Sequence, residues 1–282
     1  MARNNNATTP IVLDPSERME AGGVRAAGVN NTATNPGYYV YGDDIFYDND
    51  NKLLMNAGVD MRMGFIKKVY GILAVQLLVT FGITLCMGML LPTMFIYNNY
   101  WLFILTCVIT CGISIALACS PGLCRSYPHN YIALGIFTVC EGIMLGFITS
   151  IYTISSLLLT VGITCVVMGG LTIFAMTTKR DFTTGLMPYL FAGVLTLLLF
   201  GLLLMIFHPK GSSYWYAVYG GLGALVFSAY IVFDTQLICG RGEHLGMDFT
   251  IDDYVIAALS IYLDVINLFL YLLQLFGSTQ DN

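Results

Sequence analysis

From about residue 69 onward this chain is a succession of apolar runs separated by short polar breaks. Each run is close to the ~20 residues a helix needs to cross hydrocarbon. The runs cover roughly 69–91, 101–119, 131–152, 155–177, 184–207, 215–238 and 254–276. None shows the alternating ten-residue pattern of a barrel strand, which leaves helices as the spanning structure whose backbone is satisfied in lipid. Of 282 residues, 57% are hydrophobic and 10% are charged. That is too little charge to cover a soluble domain of this length. The expectation is an all-α polytopic membrane protein with seven transmembrane helices.

Residues 1–60 read differently. They are rich in Asn, Gly, Pro, Tyr and Asp, with one apolar triplet from Ile11 to Leu13 and acids at Asp43, Asp44, Asp48 and Asp50. So little apolar area cannot offset the entropy of ordering, so a mostly disordered tail is expected ahead of a membrane domain over 61–282. Residues 1–30 lack the apolar core of a secretory signal, so the first span is expected to direct its own insertion.

Basic residues set the orientation. Arg62, Lys67 and Lys68 precede span 1, Arg125 follows span 2, Lys179 and Arg180 follow span 4, and Arg241 follows span 6. The opposite side has Lys210 alone. The positive-inside rule then places the N-terminus in the cytosol, together with the sequons at Asn6 and Asn30. Seven full crossings put Asn282 outside or in a lumen. Asp264, Asn267 and Gln274 interrupt the last run, and a re-entrant segment is the alternative there.

No P-loop, GxSxG, HExxH or CxxC occurs, and His129, His208 and His244 lie far apart in loops. These features argue against an enzyme and against a zinc or haem cofactor. No nucleic-acid partner is implied. Most of the eight cysteines fall within spans as small apolar fillers. Cys119, Cys124 and Cys239 lie near an interface and are candidates for palmitoylation. Gly220, Gly221 and Gly223 sit inside a span, where they suit close helix packing better than phosphate binding.

Three ionisable side chains remain within the apolar runs: Glu141, Asp234 and Asp264. Each costs on the order of 3 kcal/mol in hydrocarbon unless paired, hydrated or protonated. One reading makes them interhelical glue, protonated and bonded to a neighbour. The other makes the two aspartates one site, because adjacent carboxylates in low dielectric cannot both ionise cheaply and require a proton or a cation between them. Ca²⁺ suits such oxygen ligands, so Asp234 and Asp264 are its candidate ligands, with H⁺ as regulator. Asp234 lies about 6 Å from its span's cytosolic end and Asp264 about 15 Å from its own, at 1.5 Å per residue. The two depths agree if helix 6 continues past Cys239, which would also keep Arg241 on the face of Asp234 as a latch partner.

Two segments, FDTQLI and DDYVIAALSIYLDVINLFLYLLQLFG, closely resemble the C-terminal signature of the transmembrane Bax-inhibitor-motif family. VDMRMGFIKKVYGILAVQLLVTFGIT and YPHNYIALGIFTVCEGIMLGFITSIY resemble its lifeguard branch. The resemblance covers about residues 58–277. It implies six helices wrapped around a central seventh, residence in the endoplasmic reticulum, Golgi or plasma membrane, and opposition to cell death through a pH-sensitive Ca²⁺ leak. By the same resemblance Asp234 and Asp264 match the family's pH-sensing pair, Arg125 an arginine after helix two, and Glu141 an acid of the third helix on the ion path. The competing function is an anti-apoptotic membrane scaffold that acts through apoptosis regulators or other channel proteins, with its acids only structural.

Overall fold

A computed structural model describes residues 38–41, 44–47, 58–91, 93–120, 125–207, 213–241 and 249–278. Two units are distinct, residues 1–52 and 53–282. In the first, strands β1 (Tyr38–Tyr41) and β2 (Asp44–Tyr47) pair antiparallel, with Tyr38 opposite Tyr47 and Val40 opposite Ile45. Aromatic and β-branched residues suit such a ladder. Of the tail expected over 1–60, residues 58–60 are also described, Val59 and Asp60 already being helical; the remainder lies outside the described residues, as do Cys124, His208, Lys210 and His244.

The second unit holds eight helices among its described residues: α1 (Val59–Leu90), α2 (Thr93–Asn98), α3 (Tyr100–Cys119), α4 (His129–Thr149), α5 (Ile154–Thr177), α6 (Thr183–Phe207), α7 (Ser213–Ile238) and α8 (Tyr254–Phe276). Seven of them, all but α2, are long and apolar enough to cross a membrane. Their outward faces confirm the solvent: Leu78 is 75% exposed, Val166 77% and Phe191 70%. Each such side chain left in water forgoes about 1.5–3 kcal/mol of burial, a loss that lipid removes.

α8 is the most enclosed element, with Ile261, Tyr262, Leu268 and Phe269 fully buried. Its main neighbours are α7, α1, α5 and α4, while α3 packs on α4 and α6 on α7. The expected ring of six around the last helix is therefore not confirmed. α8 runs unbroken for 23 residues, about 34 Å at helical rise. Beyond it, Ser278 accepts a hydrogen bond from Thr153 N (2.9 Å) at the α4–α5 turn. A full crossing fits this placement and a re-entrant hairpin does not.

Packing in lipid needs close approach, since apolar tails already satisfy apolar side chains. Glycines provide it. A Cβ on Gly142 of α4 would lie 3.2 Å from Ile83 of α1, and one on Gly220 of α7 would lie 2.9 Å from the Tyr271 carbonyl of α8. Gly223 is tighter still against the Tyr271 ring, whereas Gly221 faces open space. Buried threonines stay satisfied by donating to the preceding turn, as Thr138 does to Leu134 O (2.8 Å) and Thr164 to Thr160 O (2.8 Å).

Candidate functional site

Asp234 and Asp264 come together. They face each other across the α7–α8 contact, their carboxyls in direct interaction and both 6% exposed. Ser260 donates its hydroxyl to Asp234 Oδ2. It stands one turn before Asp264 on the same face of α8, the spacing at which helical side chains are neighbours. Oδ2 of Asp264 is buried without a hydrogen-bond partner. Tyr230, one turn before Asp234 on α7, lies close enough to feel both carboxyls.

The helices meet by stagger, and the expected extension of α7 is absent. α7 ends at Ile238, where Gly240 adopts a left-handed φ of 75°. Gly240 N bonds Leu237 O and Arg241 N bonds Gln236 O, the closing pair of a Schellman cap. Ser260 sits level with Asp234, and Asp264 reaches across from one turn deeper. The cap also turns Arg241 away from the Asp234 face. Its guanidinium donates to Thr178 O (2.7 Å) and Met176 O (3.3 Å), carbonyls at the C-terminal end of α5. Positive charge there complements the helix dipole and otherwise orphaned acceptors.

Arg125 forms a two-pronged pair with Asp253, from Nε to Oδ1 (2.8 Å) and from Nη2 to Oδ2 (3.0 Å). Asp253 immediately precedes α8 and also accepts from Thr250 N and Oγ1. Burial pushes the Asp253 carboxyl up, but the bonds from Arg125 and Thr250 prevail and hold it below the usual carboxylate range. Arg125 thus anchors the start of α8. Gln236 joins the same end of the bundle: it is fully buried, donates to Arg180 O (2.9 Å) and accepts from Phe182 N (2.7 Å). It fastens α7 to the α5–α6 loop. Asp181 in that loop is raised by burial yet held low overall by bonds from Thr183 and Thr184.

Glu141 belongs to a second polar layer, between α1, α4 and α8. It is 5% exposed and lies near Tyr262 and Cys107. Tyr262 is two residues from Asp264 and points the other way, its hydroxyl 2.7 Å from Thr80 Oγ1. Thr84 and Gln76 continue the layer, with Gln76 Nε2 donating to Thr138 Oγ1 (3.2 Å). Ser260, Asp253 and Gln236 were missed in the sequence. Ser260 had a readable signal, its four-residue spacing from Asp264.

Among the described residues no three His, Cys, Asp or Glu side chains gather into a metal-holding group. Two carboxyls and a hydroxyl fall short of the six to eight oxygens of a resident Ca²⁺ site. They suit a proton, or a cation in passage.

The family model described as "Inhibitor of apoptosis-promoting Bax1" matches residues 62–281, from the first turn of α1 through every later span, and takes in all the candidate residues above. Protein lifeguard 3 of Homo sapiens is 35% identical over 219 residues, covering 77% of this chain and 69% of its own length. Protein lifeguard 3 of Mus musculus is 34% identical over 220 residues, covering 77% and 70%. Protein LIFEGUARD 3 of Arabidopsis thaliana is 36% identical over 238 residues, covering 80% and 89%.

Proposed function

The chain belongs to the family of inhibitors of apoptosis-promoting Bax1, and on that premise we propose that it is a proton-regulated leak passing Ca²⁺ out of a membrane-bound store. Lowering that store is how it opposes cell death. The observation that carries this is the meeting of Asp234 and Asp264 within an apolar contact, with one Asp264 oxygen buried and unpartnered. A pair that shares one proton holds α7 to α8. A change in that proton count alters the hold and lets a cation take the proton's place. Ca²⁺ is cargo here, met by carboxyl oxygens in transit.

The basic residues at the start of α1, before α4 and just beyond α5 and α7 support a cytosolic N-terminus by the positive-inside rule. The endoplasmic reticulum, the Golgi and the plasma membrane all have leaflets that fit.

Ca²⁺ flux through the purified full chain in liposomes, followed as pH is varied, is the test. Wild type should show a pH-dependent leak, and Asp234→Asn or Asp264→Asn should each flatten the response. Contacting groups couple by about 0.5–3 kcal/mol, so the double variant should be hardly worse than either single one. Strictly additive losses would dismiss the shared gate. A wild type with no flux at any pH would favour the scaffold that works through protein partners.

A further inference from the structure

A cavity of about 550 Å³ lies between α1 and α4, on the outer side of the bundle. Its walls are apolar, and Val75, 64% exposed, marks where it opens toward lipid. Its depth comes from two glycines, Gly71 of α1 and Gly135 of α4, at each of which a Cβ would meet nothing within 4 Å. At its basic end stands Lys68, whose Nζ lies 3.2 Å from the centroid of the Tyr254 ring. Tyr131 flanks that ring at 6.0 Å between centroids. The cation–π contact fixes the ammonium while leaving the side chain exposed. Lys67, also exposed, adds a second positive charge. In the wall, Gln76 is 4% exposed and its Oε1 has no partner.

We propose that this groove binds a phospholipid with a net-negative headgroup, its phosphate at Lys68 and one acyl chain between Gly71 and Gly135. Bulk lipid would cover a flat apolar face without preference. A trench as deep as this, closed by a positioned ammonium at the headgroup level, discriminates by charge. The aromatic pair beside Lys68 suits the same interfacial depth. Since the groove's inner wall carries Gln76 and Thr138, the bound chain lies against the side chains that lead to Thr80 and Tyr262.

The test uses the full chain reconstituted in phosphatidylcholine vesicles containing a minor share of phosphatidylserine. The protein is re-extracted, washed with detergent, and its retained lipid weighed by class in a mass spectrometer. Wild type should retain phosphatidylserine enriched over its share of the vesicle. Lys68→Gln should cut that enrichment roughly fivefold, equivalent to about 1 kcal/mol per basic residue at an anionic surface. Gly71→Leu should abolish retention while the melting temperature in detergent holds or rises, because leucine improves on glycine in a helix. Retention that mirrors the vesicle, or that survives either substitution, would overturn the proposal. So would a photoreactive side chain at Val139 that cross-links to protein and not to lipid, since the groove would then belong to a second copy or another segment.

Discussion

Gly223 is where the contact between α7 and α8 tolerates least change. A Cβ there would lie 2.2 Å and 2.4 Å from Cδ1 and Cε1 of Tyr271, whereas carbon atoms in contact sit about 3.5–4.0 Å apart. Gly223→Ala must move the ring or the helix by more than about 1 Å to restore that spacing. Tyr271 has little room to yield. It stacks on Phe227 with centroids 5.6 Å apart, meets Tyr219 edge-on at 5.3 Å, and its hydroxyl lies 3.2 Å from that of Tyr219. Overpacking of this kind costs about 1–3 kcal/mol. At about 2–4 °C per kcal/mol for a domain of this size, the melting temperature should fall by roughly 2–12 °C. Gly221, two positions away, faces open space. Gly221→Ala should be neutral or stabilise by up to about 1 kcal/mol. Adding Tyr271→Leu to Gly223→Ala should recover most of the loss. The assay is thermal unfolding of the purified variants in one detergent. If Gly223→Ala melted with wild type while Gly221→Ala fell, the close glycine contact would not be what holds these two helices.

Three further outcomes are expected. Glu141→Gln keeps size and hydrogen bonding, so expression should stay near wild type while Ca²⁺ flux in liposomes drops; unchanged flux would make Glu141 a structural acid. Asp253→Asn should cost about 0.2–1 kcal/mol by thermal melting, because its Arg125 partner is half exposed and well screened. A carboxyl held low stabilises above its unfolded value and loses that contribution as pH falls through its folded one, so the Asp253→Asn deficit should stay constant near neutrality and shrink only below about pH 4; a deficit that vanished at neutral pH would contradict the assignment. A tag after Arg180 should be shielded from reagents on the lumenal or outer face and one beside Lys210 should react; the reverse pattern would invert the topology.

Much of this architecture was legible because lipid imposes a length on every span. The last helix, expected over 254–276, runs from Tyr254 to Phe276. α1 begins earlier than its apolar run, since helical backbone continues through charged positions such as Arg62 and Lys67 that hydropathy excludes. The break in α6 at Thr184 and Gly185 (φ 86°) was also invisible in an apolar count. Asp234 and Asp264 were recognisable as a pair from chemistry alone. Arg241 was misplaced as their partner because face geometry was carried past Cys239, where a left-handed glycine ends the helix. Four-residue spacing puts Ser260 on the face of Asp264, but spacing along one helix says nothing of the stagger that sets Ser260 level with Asp234 on the other.

The ties at the two ends of the bundle differ in kind. At the end away from the basic residues, Ser278 N donates to Ser156 Oγ (3.0 Å) and Thr153 N donates to Ser278 O, joining the last helix to the start of α5. The tight Gly220 and Gly223 contacts lie toward that end too. At the basic end two sets of ties stand out. Arg125 secures α8 to the approach of α4, while Gln236 and Arg241 secure α7 to the α5–α6 loop. Between these two sets the Tyr70 hydroxyl of α1 lies 3.1 Å from Thr235 Oγ1 of α7, and Ser260 of α8 donates to Asp234 of α7. Asp234 belongs to one set and Asp264 to the other. The carboxyl pair is thus placed among side-chain bonds that cross from one set of helices to the other, whereas the far end is joined through main-chain groups of Thr153 and Ser278.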